Sequence, residues 1–457
     1  MRIRRVLIAN RGEIAVRIIR TCRRLGIETV LTVSEADRDA LPARLADRTI
    51  CVGPARPVDS YLKVDAIVQA ALGVGAQAIH PGYGFLSERA ALAQLCEAHG
   101  VTFIGPTAQQ LAVVGDKLAA RAAAAAAGIP VVPGGPVATA GEARQLAGRM
   151  GVPLLIKAVG GGGGRGLKLV LTSAELGPAL ELAAAEAGAA FGDSRVYLER
   201  FVEHGRHVEV QVLGDGTGRV IHLGERDCSV QRRYQKILEE TPAPHLAASL
   251  RDALHACAVR LAADLQYRGA GTVEFLVDAE RGAFYFLEMN ARIQVEHPIT
   301  EVVTGIDLVA EQFAVAEGQG LRLPQELVRS RGCAMECRIN AEDPARDFQP
   351  SPGTVTRVSW PSGEGVRVDT HVESGSRIPP FYDSLLAKVI VGGPDRPTVL
   401  RSMRAALART QVVGVATNVA LQAALLEDAR FAQGVVDAGF LASVLKCHPA
   451  GLERAHG

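Results

Sequence analysis

Paired cysteines are the first feature missing. The eight cysteines, at 22, 51, 96, 228, 257, 333, 337 and 447, include no C-x-x-C pair. Cys333-x3-Cys337 has neither a histidine nor a second pair nearby to complete a zinc set, so free buried thiols in a reducing cytoplasm are expected. No run of about 18 apolar residues occurs, which leaves no candidate membrane-spanning helix. Between Met1 and Asn10 the continuous apolar run, Val6–Ala9, is only four residues long before the polar break, so the start reads as a first strand and not as a signal peptide. A surplus of charge is missing too: 50 Lys and Arg face 49 Asp and Glu, a formal net charge of +1. No broad field recruits nucleic acid or a membrane surface, and an anionic substrate must be caught locally by placed Arg, Lys and backbone N–H groups.

Two glycine motifs are also lacking. After the first apolar run there is a single glycine, Gly12, where a dinucleotide fingerprint G-x-G-x-x-G needs three, which argues against NAD or FAD. The five consecutive glycines at 160–164 are not followed by Lys-Ser/Thr and a helix, so they do not form a P-loop. They lie between the apolar runs Leu154–Val159 and Leu167–Val170. A hairpin lid whose backbone N–H groups close on phosphates is the expected structure, with Lys157 as a phosphate cation.

What is present suggests about three domains for 457 residues. Hydrophobic content of 48% and charged content of 22% describe a soluble globular chain. Val6–Ala9, Thr29–Val33, Ile50–Val52, Ala78–His80 and Thr102–Ile104 are short apolar runs separated by helical or turn segments, the pattern of a parallel sheet. The loop His80–Glu88 ends one such strand, where open α/β sheets place ligand groups. The Ala-rich segment 118–127 is a helix, and Lys117 at its N-terminal end opposes the helix dipole unless an anion sits nearby. In His207–Val212 strict alternation puts His207, Glu209 and Gln211 on one face and three valines on the other. Asp227–Lys236 holds a cluster of cations read as anion contacts. From Cys333 short strands followed by helices near 398–409 and 418–428 suggest an α+β third domain. Arg338 in its first strand needs an anionic partner.

The organising stretch is Glu288–Pro298. Run as an extended strand, it places Glu288, Asn290, Arg292, Gln294 and Glu296 along one edge. A hairpin folded symmetrically about Arg281 sets Glu274 opposite Glu288. Carboxylates so paired lie roughly 4.5–5.5 Å apart and repel. With the Asn290 carbonyl they form a hard oxygen site suited to Mg²⁺ or Mn²⁺ held partly by substrate phosphates.

The segments Ala9-Asn10-Arg11-Gly12-Glu13-Ile14-Ala15, His80–Glu88, Lys157 with its glycine run, Gln231-Arg232-Arg233-Tyr234-Gln235-Lys236 and Glu288–Pro298 together resemble biotin carboxylase. That family is the ATP-grasp component of biotin-dependent carboxylases such as acetyl-CoA carboxylase. The resemblance runs from Arg5 to about Lys446. It implies an α/β and α+β chain: an N-terminal Rossmann-like pre-ATP-grasp domain (1–113), an ATP-grasp domain (114–331) with a lid at about 131–202, a C-terminal α+β domain (332–446) and a tail (447–457).

It further implies a ligase that makes carboxybiotin from ATP, bicarbonate and biotin through carboxyphosphate. Glu274, Glu288 and Asn290 would hold Mg²⁺ or Mn²⁺. Lys117, Lys157, Gly163, Gly164, Glu199, Arg200, Phe201, Val202, His207, Gln231 and Tyr234 would bind the nucleotide, with Glu274 and Glu288. Lys236, Arg292, Gln294 and Val295 would hold bicarbonate, Glu296 would be the base, and Tyr83 and Arg338 would meet biotin. Arg292, Glu296, Lys236 and Arg338 are the implied catalytic set. Tyr234 stands where many relatives carry His, Ala291 replaces a common Thr, and Ala438 lies where a larger residue often packs toward adenine. No Met-Lys dipeptide occurs, so the family's biotin-carrying lysine motif is absent. A stand-alone cytoplasmic subunit is expected, dimeric in the manner of its relatives, working with a separate biotin carboxyl carrier protein and carboxyltransferase. The final acceptor is acetyl-CoA first, then propionyl-CoA, another acyl-CoA or urea. A different ATP-grasp ligase and a non-catalytic nucleotide sensor are the competing readings.

Overall fold

The structure, a computed structural model, describes residues 2–160, 166–278 and 281–447. The short apolar runs near the N-terminus become β1 (Arg5–Ile8), β2 (Glu28–Ser34), β3 (Arg48–Gly53), β4 (Ala78–His80) and β5 (Thr102–Phe103). They pair in parallel in the order β3-β2-β1-β4-β5. The helix Gly12–Leu25 buries Ile14, Ile18, Ile19 and Cys22 against this sheet. Gly26 ends it at φ 68°, a left-handed backbone that costs glycine nothing.

A four-stranded antiparallel sheet follows, built from β6 (Gly134–Val137), β7 (Leu154–Ala158), β8 (Leu167–Val170) and β9 (Val196–Arg200) in the order β6-β9-β7-β8. The helices Ala140–Met150 and Leu176–Phe191 cover it and close a core containing Leu154, Ile156, Val170, Leu180 and Leu198. The β7–β8 pairing runs from Leu154 opposite Val170 to Lys157 opposite Leu167. Lys157 therefore stands at the strand end where the glycine run begins.

The third sheet has eight strands. They are β14 (Ala283–Asn290), β13 (Arg268–Asp278), β10 (Gly205–Asp215), β11 (Val220–Arg232), β12 (Gln235–Thr241), β15 (Cys333–Asn340), then Leu385–Gly393 and Val366–Thr370, in that spatial order. The change of texture at Cys333 is thus not the start of a separate sheet. β15 pairs directly with β12, Glu336 opposite Glu239 and Cys337 opposite Leu238. Alternation along β10 works as expected: Val208, Val210 and Val212 are fully buried in the core, while His207, Glu209 and Gln211 face the other way.

Three expectations change. The strand from Glu288 stops at Asn290, and the helix His297–Thr304 begins after a short irregular stretch, because Pro298 fits a first helical turn and not a ladder. The hairpin is not symmetric. Glu274 pairs with Glu288, but beyond a register shift Phe275 pairs with Phe286, which leaves Leu287 as the extra residue of a bulge. Finally, the thiols are free but not all buried, since Cys51 is exposed and Cys333 half-buried among the described side chains.

Candidate active site

Three neighbouring strands carry a row of carboxylates. Glu209 on β10 lies opposite Glu274 on β13, and Glu274 lies opposite Glu288 on β14. Like charges in that relation repel, so each must find a cation. Arg226 takes Glu209, with Nη2 2.6 Å from Oε1 and both side chains fully buried. Lys117 takes Glu288 at 3.3 Å, which supplies the anion that its place at a helix N-terminus demanded. His207 Nε2 lies 2.8 Å from Glu274 Oε2. Burial disfavours its charged form, but the Glu274 carboxylate outweighs it and raises the histidine pKa.

Lys236 is the hub. Its ammonium contacts Glu209, Glu274 Oε1 at 2.9 Å and Glu296 Oε1 at 2.8 Å. Burial works against the charge, yet three carboxylates hold the Lys236 pKa well above its usual value. Lys236 reaches this position through a second bulge. Gln231 pairs with Lys236 but Val230 pairs with Leu238, so Ile237 is extra, and both Ile237 and Leu238 enter the core. Strict alternation would have turned either Lys236 or Glu239 away from the site.

Glu296 is fully buried at the start of the helix His297–Thr304. Its pKa is held well below the carboxylate range: burial opposes this, but Lys236, Arg338 and Arg226 win. Arg338 bridges two acids, donating from Nε to Glu239 Oε1 at 2.6 Å and from Nη2 to Glu296 Oε2 at 3.0 Å. Although the extended strand ends, the polar series beyond it stays together. Arg292 donates to Asn290 Oδ1 at 2.9 Å and to Gln294 Oε1 at 2.7 Å, and Gln294 donates to Glu274 Oε1 at 3.1 Å. The Val295 carbonyl accepts from Lys388 Nζ at 2.8 Å.

At the nucleotide end, Lys157 Nζ sits 2.6 Å from Glu199 Oε2, and Arg121 holds Oε1 of the same carboxylate at 2.8 Å. Gln231 donates to His207 Nδ1 at 2.8 Å. Arg200 donates to the Tyr285 hydroxyl at 3.0 Å. Phe201 and Val202 are half-buried. Gly163 and Gly164 lie outside the described residues. Tyr234 is 49% exposed at the tip of the β11–β12 hairpin. Tyr83 stands apart from the carboxylate row, its hydroxyl donating to Glu13.

Several residues of the site escaped sequence reading. Glu88 accepts from Arg292 Nε and the Ala291 N–H, each at 2.9 Å, and so orients the guanidinium. It lay inside a quoted motif without a role. Glu209 was visible as a polar neighbour of His207 but not as the third acid of the row. Glu239, Glu336 and Lys388 gave no local signal, because they read as ordinary strand residues.

The ligand atoms of His207, Glu209 and Glu274 lie within 4.8 Å of one another, as do those of Glu209, Cys228 and Glu296. Lys236 already supplies a cation to both groups. Glu274 and Glu288 stand opposed across β13 and β14. Asn290 turns Nδ2 to Glu274 Oε1 at 2.8 Å and Oδ1 to Arg292 at 2.9 Å, so its amide must flip before the three residues can offer an all-oxygen set of the kind that suits Mg²⁺.

Three family models match in series: "Biotin carboxylase, N-terminal domain" over residues 2–111, "Carbamoyl-phosphate synthase L chain, ATP binding domain" over 116–324, and "Biotin carboxylase C-terminal domain" over 336–443. The biotin carboxylase of Nostoc sp. is 50% identical over 448 residues, covering 98% of this chain and 100% of the relative. That of Pseudomonas aeruginosa is 52% identical over 440 residues, covering 96% and 97%. Among solved structures, the biotin carboxylase domain dimer of Hydrogenobacter thermophilus 2-oxoglutarate carboxylase, in complex with MgADP, ADP and bicarbonate, superposes with a TM-score of 0.95 at 44% identity over 100% of both chains.

Proposed function

The chain belongs to the biotin carboxylase family, and from that premise we propose how its own residues divide the work. It is an ATP-grasp ligase that carboxylates biotin at the expense of ATP, with bicarbonate as the carbon source and Mg²⁺ as the metal. Glu274, Glu288 and Asn290 hold the metal against the phosphates, where it supplies charge neutralisation for phosphoryl transfer. Lys117 and Lys157 add fixed positive charge along the phosphate chain, and Glu199, Arg200, Phe201, Val202, His207, Gln231 and Tyr234 line the rest of the nucleotide site.

Bicarbonate sits between Lys236, Arg292, Gln294 and the backbone of Val295. Glu296 takes its proton as it attacks the γ-phosphate, giving carboxyphosphate and ADP. Carboxyphosphate breaks down to CO₂ and phosphate, and phosphate takes the ureido proton of biotin. Arg338 stabilises the resulting enolate, which captures CO₂, and Tyr83 packs at the biotin side. Lys236 supports this order of events because its ammonium touches both the metal-binding Glu274 and the base Glu296. One cation therefore links the phosphate end to the carbon end.

The biotin acceptor belongs to a separate biotin carboxyl carrier protein, and a separate carboxyltransferase uses the product. Acetyl-CoA is the first candidate acceptor. The solved neighbour comes from a 2-oxoglutarate carboxylase, so this half-reaction is compatible with other acceptors. A homodimer is supported by that neighbour's dimer. A cytoplasmic location accords with the absence, among the described residues, of any helix long and apolar enough to cross a membrane.

The observation that carries the reading is the Glu296–Arg338–Lys236 cluster at the end of the carboxylate row. ADP release with bicarbonate and Mg²⁺ tests it, measured with and without free biotin and alongside Glu296→Ala. Biotin-stimulated turnover that the variant loses is expected. Turnover indifferent to both biotin and the substitution would leave only an ATP-grasp fold.

A further inference from the structure

Behind Arg338 lies a second pair of acids that the steps above do not use. Glu239 on β12 and Glu336 on β15 stand directly opposite each other in the antiparallel ladder. Both side chains are fully buried. Arg338, two residues along from Glu336, donates to Glu239 Oε1 at 2.6 Å. The other three oxygens of the pair, Glu239 Oε2 and both of Glu336, have no hydrogen-bond partner in the structure.

Two opposed carboxylates in a dry site cannot both keep a full charge when one guanidinium hydrogen-bonds only one of them. We propose that Glu239 and Glu336 share one proton and act as a positioning pair. Its single negative charge anchors the Nε edge of Arg338 and so holds the guanidinium beside Glu296 for biotin. The inference rests on the assignment of Arg338 to the biotin enolate.

The surroundings fit a shared proton. Glu239 faces Arg338, Glu296 and Lys236, and burial first, with Glu296 adding to it, pushes its pKa up to about 7 despite the guanidinium. Glu336 faces Lys388, Arg338 and Glu296 as well as Glu239, and burial holds its pKa well above the carboxylate range. Lys388 does not neutralise it by contact, because its ammonium is taken by Glu13 at 3.0 Å and the Val295 carbonyl at 2.8 Å. On the helix packed against β15, His297 is kept neutral by burial and nearby cations. Glu301 on the same helix is engaged by Arg17 at 2.6 Å and Arg367 at 2.8 Å. Among the described residues Arg338 is the cation that contacts the pair, and it reaches Glu239 alone.

The pair therefore changes Arg338 from anchored to loose as it takes up a second proton. Biotin-dependent turnover should show an acidic limb near neutral pH that biotin-independent ATP hydrolysis lacks. Steady-state rates of the full chain from about pH 5.5 to about pH 9 test this, with free biotin varied. In Glu336→Gln a neutral amide replaces the already neutral protonated partner, so the limb should stay within about half a pH unit of wild type and KM for biotin should hold. ATP hydrolysis without biotin should keep its pH profile. In Glu239→Gln the limb should vanish and KM for biotin should rise about tenfold while KM for ATP holds.

Infrared difference spectra give an independent reading. Wild type should keep a protonated carboxylic acid at about pH 8.5, above the limb, and Glu336→Gln should lose it there. A limb lost or moved by a full pH unit or more in Glu336→Gln would overturn the proposal. So would a wild-type spectrum without a protonated carboxyl above the limb, which decides the matter even if both variants misfold. Arg338→Gln separates the two levels: retained biotin dependence there sinks the assignment of Arg338 itself. Lost biotin dependence with a lost or displaced Glu336→Gln limb sinks only the carboxyl pair.

Discussion

Single residues divide into those whose partners are near in sequence and those whose partners are not. Glu274 opposite Glu288 could be found by counting across a hairpin, because the chain between them is short and the register follows from its turn. Glu209 completes the same row, but β10 is joined to β13 through other elements, and no count along the sequence reaches it. Glu225 makes the point for stability. It accepts from Arg251 Nε at 2.7 Å and from His255 Nε2 at 2.8 Å, both on the helix Ala248–Asp264. Burial would raise its pKa, but the His255 and Arg251 hydrogen bonds prevail and take it from 4.5 down to about 2. A depressed carboxyl contributes stability that is complete above its unfolded pKa and is lost as pH falls through the folded one. The window is thus from 4.5 to about 2, and the contribution is ~3 kcal/mol. Glu225→Gln should melt below wild type at neutral pH, with the gap closing as pH falls below 4.5. A gap that stays constant through that range would show that Glu225 does not act through its charge.

Elements were legible in kind and less so in detail. Periodicity located the first helix, the Ala-rich helix and the β7–β8 hairpin, because a core on one side imposes its repeat on the sequence. Bulges escaped, since an extra residue such as Ile237 or Leu287 is apolar like its neighbours and leaves the pattern looking intact. The β11–β12 turn shows what a local exception means. Arg232 pairs with Gln235, so Arg233 and Tyr234 alone make the turn. Both have positive φ, 47° and 65°. A two-residue turn of that kind favours Asn-Gly, and a bulky residue there stores strain of about 1 kcal/mol. Tyr234→Gly should therefore raise the melting temperature by a degree or two. If Tyr234 also contacts the nucleotide, the same variant should bind ATP more weakly. Calorimetry and ATP titration read these separately, and a variant that melts lower would remove strain from the account of this turn.

At the scale of the molecule, the sequence suggested domains where the structure has shared surfaces. The core that holds Leu7 and Ile79 of the first sheet also holds Val208, Val210 and Phe275 of the eight-stranded one. That larger sheet in turn runs on through β15 to Val366–Thr370. Composition shifts mark changes in chain texture, but pairing between β12 and β15 depends on registers that no local pattern encodes. Lys388 is where these parts meet. It is fully buried in the strand Leu385–Gly393, and its ammonium reaches Glu13 on the first helix at 3.0 Å and the Val295 carbonyl at 2.8 Å. One cation thus ties the late strand, the N-terminal helix and the loop that carries the proposed bicarbonate contacts. Lys388→Met keeps the volume but leaves Glu13 with the Tyr83 hydroxyl and no cation, and the carbonyl without its donor, at a cost of about 3–5 kcal/mol. Adding Glu13→Gln removes one of the stranded groups, so the double variant should be less destabilised than the two single effects summed. Because Val295 loses its anchor, KM for bicarbonate should rise about tenfold in Lys388→Met while KM for ATP stays near wild type. Melting curves of the four proteins give the coupling, and initial rates give the two KM values. Additive losses would mean that Lys388 and Glu13 do not act as a pair. Equal rises in both KM values would mean that the tie steadies the whole molecule and does not position the bicarbonate loop.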